Sequence, residues 1–276
     1  MNPDPEPSAL QTTKTDDGIT IITLNRPQRR NAVDPATARK LRTALLAFED
    51  DSTQKVAIVC GANGTFCAGF DLQKLSKSQP TSNDEVAANT RPVQGRNHAP
   101  MGPSRMQLRK PLISAVSGFA VAGGLELSLL ADLRVVEEDA VFGVFCRRFG
   151  VPLVDGGTVR LQRVVGFGRA MDMVLTGREV RAGEALAMGL ANRVVPKGKA
   201  LEEAVKLARE VARFPQACMN ADRASCYYAA YEAGCFEEAM RNEFEGGTRV
   251  MRESVQGAAR FAAGEGRHGG TGKEKL

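Results

Sequence analysis

Two short turns built from small residues carry the chemistry this sequence offers: Cys67-Ala68-Gly69-Phe70-Asp71-Leu72 and, further along, Gly118-Phe119-Ala120-Val121-Ala122-Gly123-Gly124-Leu125-Glu126. Each reads as a strand running into a helix through residues small enough for a ligand oxygen to approach the backbone amides. When a nucleophile or a proton reacts next to a thioester carbonyl, negative charge collects on that oxygen as an enolate or a tetrahedral oxyanion. Two preorganised amides aimed at it lower the barrier by roughly 3–4 kcal/mol per donor. The amides of Ala68 and Gly123 are the candidate pair. Neither turn has dinucleotide-binding glycine spacing or a phosphate loop ending in Lys-Ser or Lys-Thr. Taken alone, Gly123-Gly124 also reads as a bend or close-packing device; the second small turn at Ala68-Gly69 favours the chemical reading.

The elements that must position these turns alternate. Gly18 to Leu24 is β-branched and apolar and stops at Asn25-Arg26-Pro27, a strand followed by a turn. Asp34 offers an N-cap with Pro35 at the first helical position, and Ala38, Leu41, Leu45 and Phe48 recur at helical spacing. Val56 to Cys60 is a short apolar strand leading to the first turn, and Leu112 to Val116 another leading to the second. Leu125 to Leu130 continues as a helix and Asp132 to Val136 returns as a strand, so the class is α/β. Ser76 to Arg109, polar and punctuated by Pro80, Pro92, Pro100 and Pro103, reads as a long surface excursion, a lid or mobile surface. Beyond Gly157 the pattern is helical over Val159 to Val164, Ala170 to Leu175, Gly183 to Met188 and Leu201 to Phe214, and stays helix-prone to Gly264.

Composition limits the partners. Lysine and arginine exceed aspartate and glutamate by 37 to 32, with no basic run and no aromatic interleaving, which argues against nucleic acid. The net +5 suits an anionic small molecule without requiring one. The six cysteines sit mostly in apolar stretches with no two-residue spacing, and read as reduced. His98 and His268, the two histidines, lie far apart in polar segments, so no metal site is expected. Residues 1–17 hold three prolines and acidic residues but no apolar stretch, which reads as a disordered extension rather than a secretory signal and places the chain in the cytoplasm. No window is long and apolar enough for a membrane span.

Taken together, Leu24-Asn25-Arg26-Pro27 with Asn31-Ala32, Phe66 to Leu72, Gly118 to Leu127, Asp132-Leu133-Arg134 and Gly156-Gly157-Thr158-Val159-Arg160-Leu161 resemble the crotonase superfamily, the enoyl-CoA hydratase and isomerase group. Leu175-Thr176-Gly177-Arg178 and Ala187 to Ala191 with Val194-Val195-Pro196 extend the likeness, which runs from about Gly18 to Arg260. The resemblance implies a spiral of ββα turns forming two roughly perpendicular sheets over residues 18–200. It also implies a helical trimerisation region over 201–264, a disordered tail over 265–276, and a homotrimer or homohexamer. An acyl-CoA thioester would be the ligand, with coenzyme A entering only as part of the substrate and no metal or redox cofactor. Ala68 and Gly123 would hold the thioester oxygen. Ala68, Gly69, Phe70, Asp71 and Leu72 would line the acyl and pantetheine channel together with Gly124 and Cys146, and Arg26, Arg30 and Ala32 would lie near the nucleotide end.

Hydratases of this kind use two glutamates around one water, one as base and one delivering a proton to the α-carbon. The first falls at Glu126; the second falls at Cys146 and is absent. Cys146 reads as a pocket-lining thiol, or as a reactive one if Arg147 and Arg148 lower its pKa. Asp155 is the other acidic candidate, either the catalytic partner of Glu126 or an N-cap for the helix after Gly156-Gly157. Glu126 has its own alternative as a first-turn glutamate favoured by the helix dipole. The expected activity is reversible addition of water to a 2-enoyl-CoA. Isomerisation, hydrolysis, decarboxylation, retro-aldol cleavage and a catalytically weak acyl-CoA-binding subunit remain open.

Overall fold

The computed structural model describes residues 6–76 and 92–264. The first five residues, the tail from 265 and the middle of the polar excursion lie outside the described residues. In chain order, β1 (Leu10–Lys14) and β2 (Ile19–Leu24) lead to helix α1 (Pro35–Asp50), β3 (Val56–Gly61) and the short α2 (Leu72–Leu75). β4 (Leu112–Val116), β5 (Phe119–Val121), α3 (Gly123–Ser128), β6 (Leu133–Glu137) and β7 (Val141–Gly143) follow. Then come a 3₁₀ segment (Phe145–Phe149), α4 (Gly157–Val165), α5 (Phe167–Thr176), β8 (Val180–Arg181), α6 (Ala182–Ala187) and β9 (Arg193–Val195).

The strands make two sheets, one of six strands in the order β1-β2-β3-β4-β6-β9 and one of three in the order β5-β7-β8. Pairing in the larger sheet is parallel except for β1 against β2. Parallel strands buried on both faces read as continuous apolar runs, which is why β3 and β4 were legible. The N-terminal segment, expected to be disordered, instead forms β1, with Leu10 opposite Leu24 and Lys14 opposite Thr20. Its other four side chains are exposed, so the strand is held by its ladder and by Ala9 and Leu10 at one end, and hydropathy alone does not reveal it.

Helix α1 begins as its residues dictate. The Asp34 carboxylate accepts from the Thr37 amide at 2.8 Å, Pro35 sits at the first turn, and Ala38, Leu41, Leu45 and Phe48 are buried. Burial of each of the three large side chains contributes about 1.5–3 kcal/mol. Residues 99–106 of the excursion, expected at the surface, pack into the core. Met101 and Met106 are buried, and Gly102, at φ +84°, approaches the Ala38 carbonyl so closely that a Cβ would lie 2.3 Å from it.

The described residues fall into two compact units, dividing at Ala208 and Arg209 rather than at residue 200. Helix α7 (Ala200–Arg213) spans the division. The second unit contains α8 (Gln216–Tyr231), α9 (Phe236–Arg249) and α10 (Met251–Ala262). Within it the Tyr228 hydroxyl donates to Glu238 at 2.5 Å and the Cys218 amide to Glu253 at 2.6 Å.

Candidate active site

The two small-residue turns lie side by side. The Cys67 amide donates to the Phe119 carbonyl at 2.8 Å and the Val121 amide to the Cys67 carbonyl at 3.1 Å. On its other edge the first turn pairs with residue 33: the Val33 amide donates to Gly69 and the Asp71 amide to Val33, at 2.8 and 2.9 Å. The glycines permit this closeness. A Cβ on Gly69, at φ +99°, would lie 3.0 Å from the Gly123 nitrogen, and one on Gly124 would lie 2.0 Å from the Cys67 carbonyl oxygen. Ala122 enters α3 at φ +53°, a conformation that costs a side-chain-bearing residue about 1–3 kcal/mol.

This geometry corrects one expected donor. The Ala68 amide donates to the Arg30 carbonyl at 3.0 Å, and an amide with one hydrogen has none left for a ligand. Successive N–H groups in extended chain point to opposite sides. With Asp71 directed to Val33, the Phe70 N–H points the other way, and it has no hydrogen-bond partner among the described residues. The Gly123 N–H is in the same state at the start of α3. Phe70, Ala122 and Gly123 all line one cavity of about 350 Å³. Phe70 was expected only as a channel wall; its position after the turn glycine was the signal for its amide.

Glu126 and Asp155 line the same cavity. Glu126, on α3, is 2% exposed, and its Oε1 accepts from the amides of Asp155 at 2.9 Å and Gly157 at 2.8 Å. Gly157 is a glycine for this contact, since a Cβ there would lie 2.8 Å from the Glu126 Cγ. Burial pushes the Glu126 carboxyl up to about 7, and the nearby Asp155 charge adds to the push, against the pull of the two amides. Asp155 does not cap α4; Gly156 occupies that place without a side-chain bond. Instead its Oδ1 accepts from the Met101 amide at 2.9 Å and from the Ser104 hydroxyl. Burial raises the Asp155 carboxyl above its ordinary range, while Ser104, Met101, Arg105 and Arg160 each favour its charge. In both carboxyls one oxygen is committed to two donors. Oε2 of Glu126 and Oδ2 of Asp155 accept from no described residue, so a proton on either group resides there.

The remaining wall is apolar, with Met101, Phe145, Val151, Pro152 and Val154 around Cys146. Cys146 is buried, and that burial, with the field of Glu126, raises its thiol pKa; Arg147 only partly offsets this, so the thiol is neutral and lines the pocket. Ala68 and Leu72 also reach the cavity. Asp71 does not: its side chain caps α2 through the Gln73 and Lys74 amides and pairs with Arg26 at 3.2 Å.

Arg26, expected near the nucleotide end of a ligand, is interior. Its guanidinium is 1% exposed, meets Glu6 at 2.6 Å and Asp34 at 3.4 Å as well as Asp71, and donates to the Ala32 carbonyl. Three carboxylates already occupy its guanidinium, and Ala32 is also buried. Arg30 is exposed, its guanidinium 5.7 Å from the centre of the Phe119 ring. Sequence reasoning assigned no part to Met101, Ser104 or Arg160. Met101 and Ser104 come from the excursion, and nothing local signals their contact with a loop about fifty residues away.

Two unpartnered amides beside two buried carboxyls in an apolar cavity form an arrangement able to hold a carbonyl oxyanion and to move protons next to it. Residues 14–243 match the sequence profile of the enoyl-CoA hydratase/isomerase family, and the chain belongs to that family, within the crotonase superfamily. A probable enoyl-CoA hydratase of Rhizobium meliloti is 38% identical over 73% of this chain and 74% of its own length. A mevalonyl-coenzyme A hydratase of Aspergillus fumigatus is 33% identical over 80% of this chain and 78% of its own. The crystal structure of an enoyl-CoA hydratase from Mycobacterium tuberculosis superposes with a TM-score of 0.82 at 31% identity, covering 92% of this chain and 96% of that one.

Proposed function

We propose that the protein adds water reversibly across the double bond of a 2-enoyl-CoA thioester. The observation that carries this reading is the pair of buried carboxyls, Glu126 and Asp155, sharing one cavity with the unpartnered amides of Phe70 and Gly123. Asp155, with donors favouring its charge, serves as base; its Oδ2 takes a proton from water as the water oxygen bonds to C3. The π electrons of C2=C3 form a C1=C2 bond as the carbonyl π pair moves onto the thioester oxygen, where the Phe70 and Gly123 amides hold the enolate. Glu126, protonated near neutral pH, gives its Oε2 proton to C2 as the enolate collapses to the thioester. Proton exchange through solvent restores both carboxyls. The reaction needs neither a metal nor a redox cofactor.

Arg30 is the residue we assign to the nucleotide end of the ligand, because it is exposed next to the first turn. We also assign a cytoplasmic homotrimer or homohexamer, consistent with the exposed Phe236, Phe244 and Phe261 on α9 and α10, and a trimerisation role for those helices.

The test is incubation with short, medium and branched 2-enoyl-CoA esters followed by mass spectrometry. Gain of one water on an ester, lost in Asp155→Asn by about a hundredfold in kcat, is the expected result. Esters that bind and return unchanged would overturn the hydratase reading in favour of another acyl-CoA reaction or a binding role.

A further inference from the structure

We propose that Ser104, held in place by Arg160, is a positioning residue that fixes which oxygen of Asp155 carries the proton during turnover. The inference deepens the hydratase reading and rests on Asp155 being its base.

Asp155 sits on the loop before α4, a segment without regular structure, and a carboxylate on such a loop has two equivalent oxygens and a free χ2 unless something breaks the symmetry. Here Ser104 breaks it. Its hydroxyl and the Met101 amide both donate to Oδ1, and both come from the turn over residues 99–106. That turn is fixed in its own right: Ala99 and Gly102 bridge each other, and Gly102 packs on the Ala38 carbonyl of α1.

Arg160 then joins the two segments. Its Nη2 donates to the carbonyls of Ser104 at 2.8 Å and Met106 at 3.3 Å, while Nη1 donates to the Asp155 carbonyl at 3.3 Å. One guanidinium thus spans the carbonyls of the hydroxyl donor and of the carboxylate it serves, a fork geometry that a lysine does not reproduce. Gly156 makes room for it, since a Cβ there would lie 2.3 Å from Nη1. The two glycines that open α4 therefore have separate uses, Gly156 for the Arg160 clamp and Gly157 for the Glu126 carboxyl.

With Oδ1 doubly bonded to donors, Oδ2 is the oxygen left to accept the proton from water. Removing the hydroxyl takes a donor from the charged form, so the Asp155 pKa rises and the acidic limb of kcat/KM moves to higher pH. The other charged or titratable groups around Asp155 are Glu126 on α3, Arg160 on α4, Arg105 beside Ser104, and Cys146 across the cavity; Ser104→Ala alters none of them.

The experiment compares wild type, Ser104→Ala, Ser104→Thr, Asp155→Asn and the double variant, with kcat, KM and pH profiles on the ester that wild type hydrates. Ser104→Ala should lower kcat at least about tenfold, leave KM within about twofold, and move the acidic limb up by about one pH unit. Ser104→Thr, keeping the hydroxyl, should recover most of the rate. In the Asp155→Asn background Ser104→Ala should cost little more. An unmoved limb, or the same loss with and without Asp155, would overturn the proposal. If Asp155→Asn alone hydrates at the wild-type rate, the assignment of the base fails instead. Should Ser104→Ala not fold, Ser104→Cys, of similar shape but with a weaker donor, should give the same limb shift at smaller size, and an unmoved limb there overturns the proposal equally.

Discussion

The molecule buries two clusters of acidic side chains and treats them in opposite ways. Around Arg26, burial works against the charge of Asp34, yet the Thr37 amide and hydroxyl and the Arg26 guanidinium hold its carboxyl below the usual range. Around Glu126 and Asp155, burial wins and both carboxyls are pushed up. The difference is the partner. In the first cluster a cation contacts every carboxylate directly; in the second only amides and a hydroxyl touch the carboxyls, and Arg160 and Arg105 act from a distance too weakly to offset burial. Burial of charge by itself marks nothing; burial without a contacting cation, in the wall of a cavity, is what makes Glu126 and Asp155 the candidates for proton transfer.

The sharpest way to break this comparison is Glu126→Gln. It should lower kcat by about 10²–10⁴-fold with ligand affinity retained, because an amide accepts the same two backbone bonds but gives no proton. The same variant has a stability signature with a definite sign. A carboxyl raised from 4.5 in the unfolded chain to about 7 when folded costs wild-type stability as pH climbs through that interval, with the full cost present above it. Glu126→Gln should therefore match wild type near pH 4 and exceed it near pH 8 by up to about 3 kcal/mol in denaturant unfolding. A variant less stable than wild type at pH 8 would mean that the buried charge is compensated.

Arg26→Met should do the reverse, lowering stability by about 3–5 kcal/mol near neutral pH by stranding Asp34 and Asp71. Urea titration reads this directly, and a loss below about 1 kcal/mol would show the cluster to be solvated like a surface one. The smallest effect belongs to Cys146→Ala. With a neutral thiol that only lines the wall, kcat should change less than about tenfold and its pH profile should not move. A displaced limb would give the thiol a part in proton transfer.

Both turns, α1 with its cap, and the parallel strands were legible because their signals are local: small residues in a strand-to-helix turn, Asp34-Pro35 before a periodic apolar face, continuous β-branched runs. Glu126 and Asp155 were legible as candidates only through the resemblance to the family and its two-carboxylate pattern. The part each amide plays was not, because whether an N–H is spent depends on which carbonyl lies opposite. For Ala68 that carbonyl is Arg30, and nothing in the order of residues announces it. Arg26 was expected near the nucleotide end of a ligand for the same reason, since a motif shows an arginine but not the three carboxylates that close around it. The resemblance implied a second sheet, but its strands went unread because β5, β7 and β8 are only two or three residues long, too short to carry a period.

By itself, then, the sequence determined the α/β class and the two turns, and its resemblance to the family singled out Glu126, Cys146 and Asp155 as the positions to inspect. Only the tertiary structure decided which amides are free, which carboxyls lack a contacting cation and which hydroxyl fixes Asp155. Each of these is a contact between segments far apart in the chain, and the free energy of a buried charge or an unpaired N–H is set by what packs against it rather than by its neighbours in sequence.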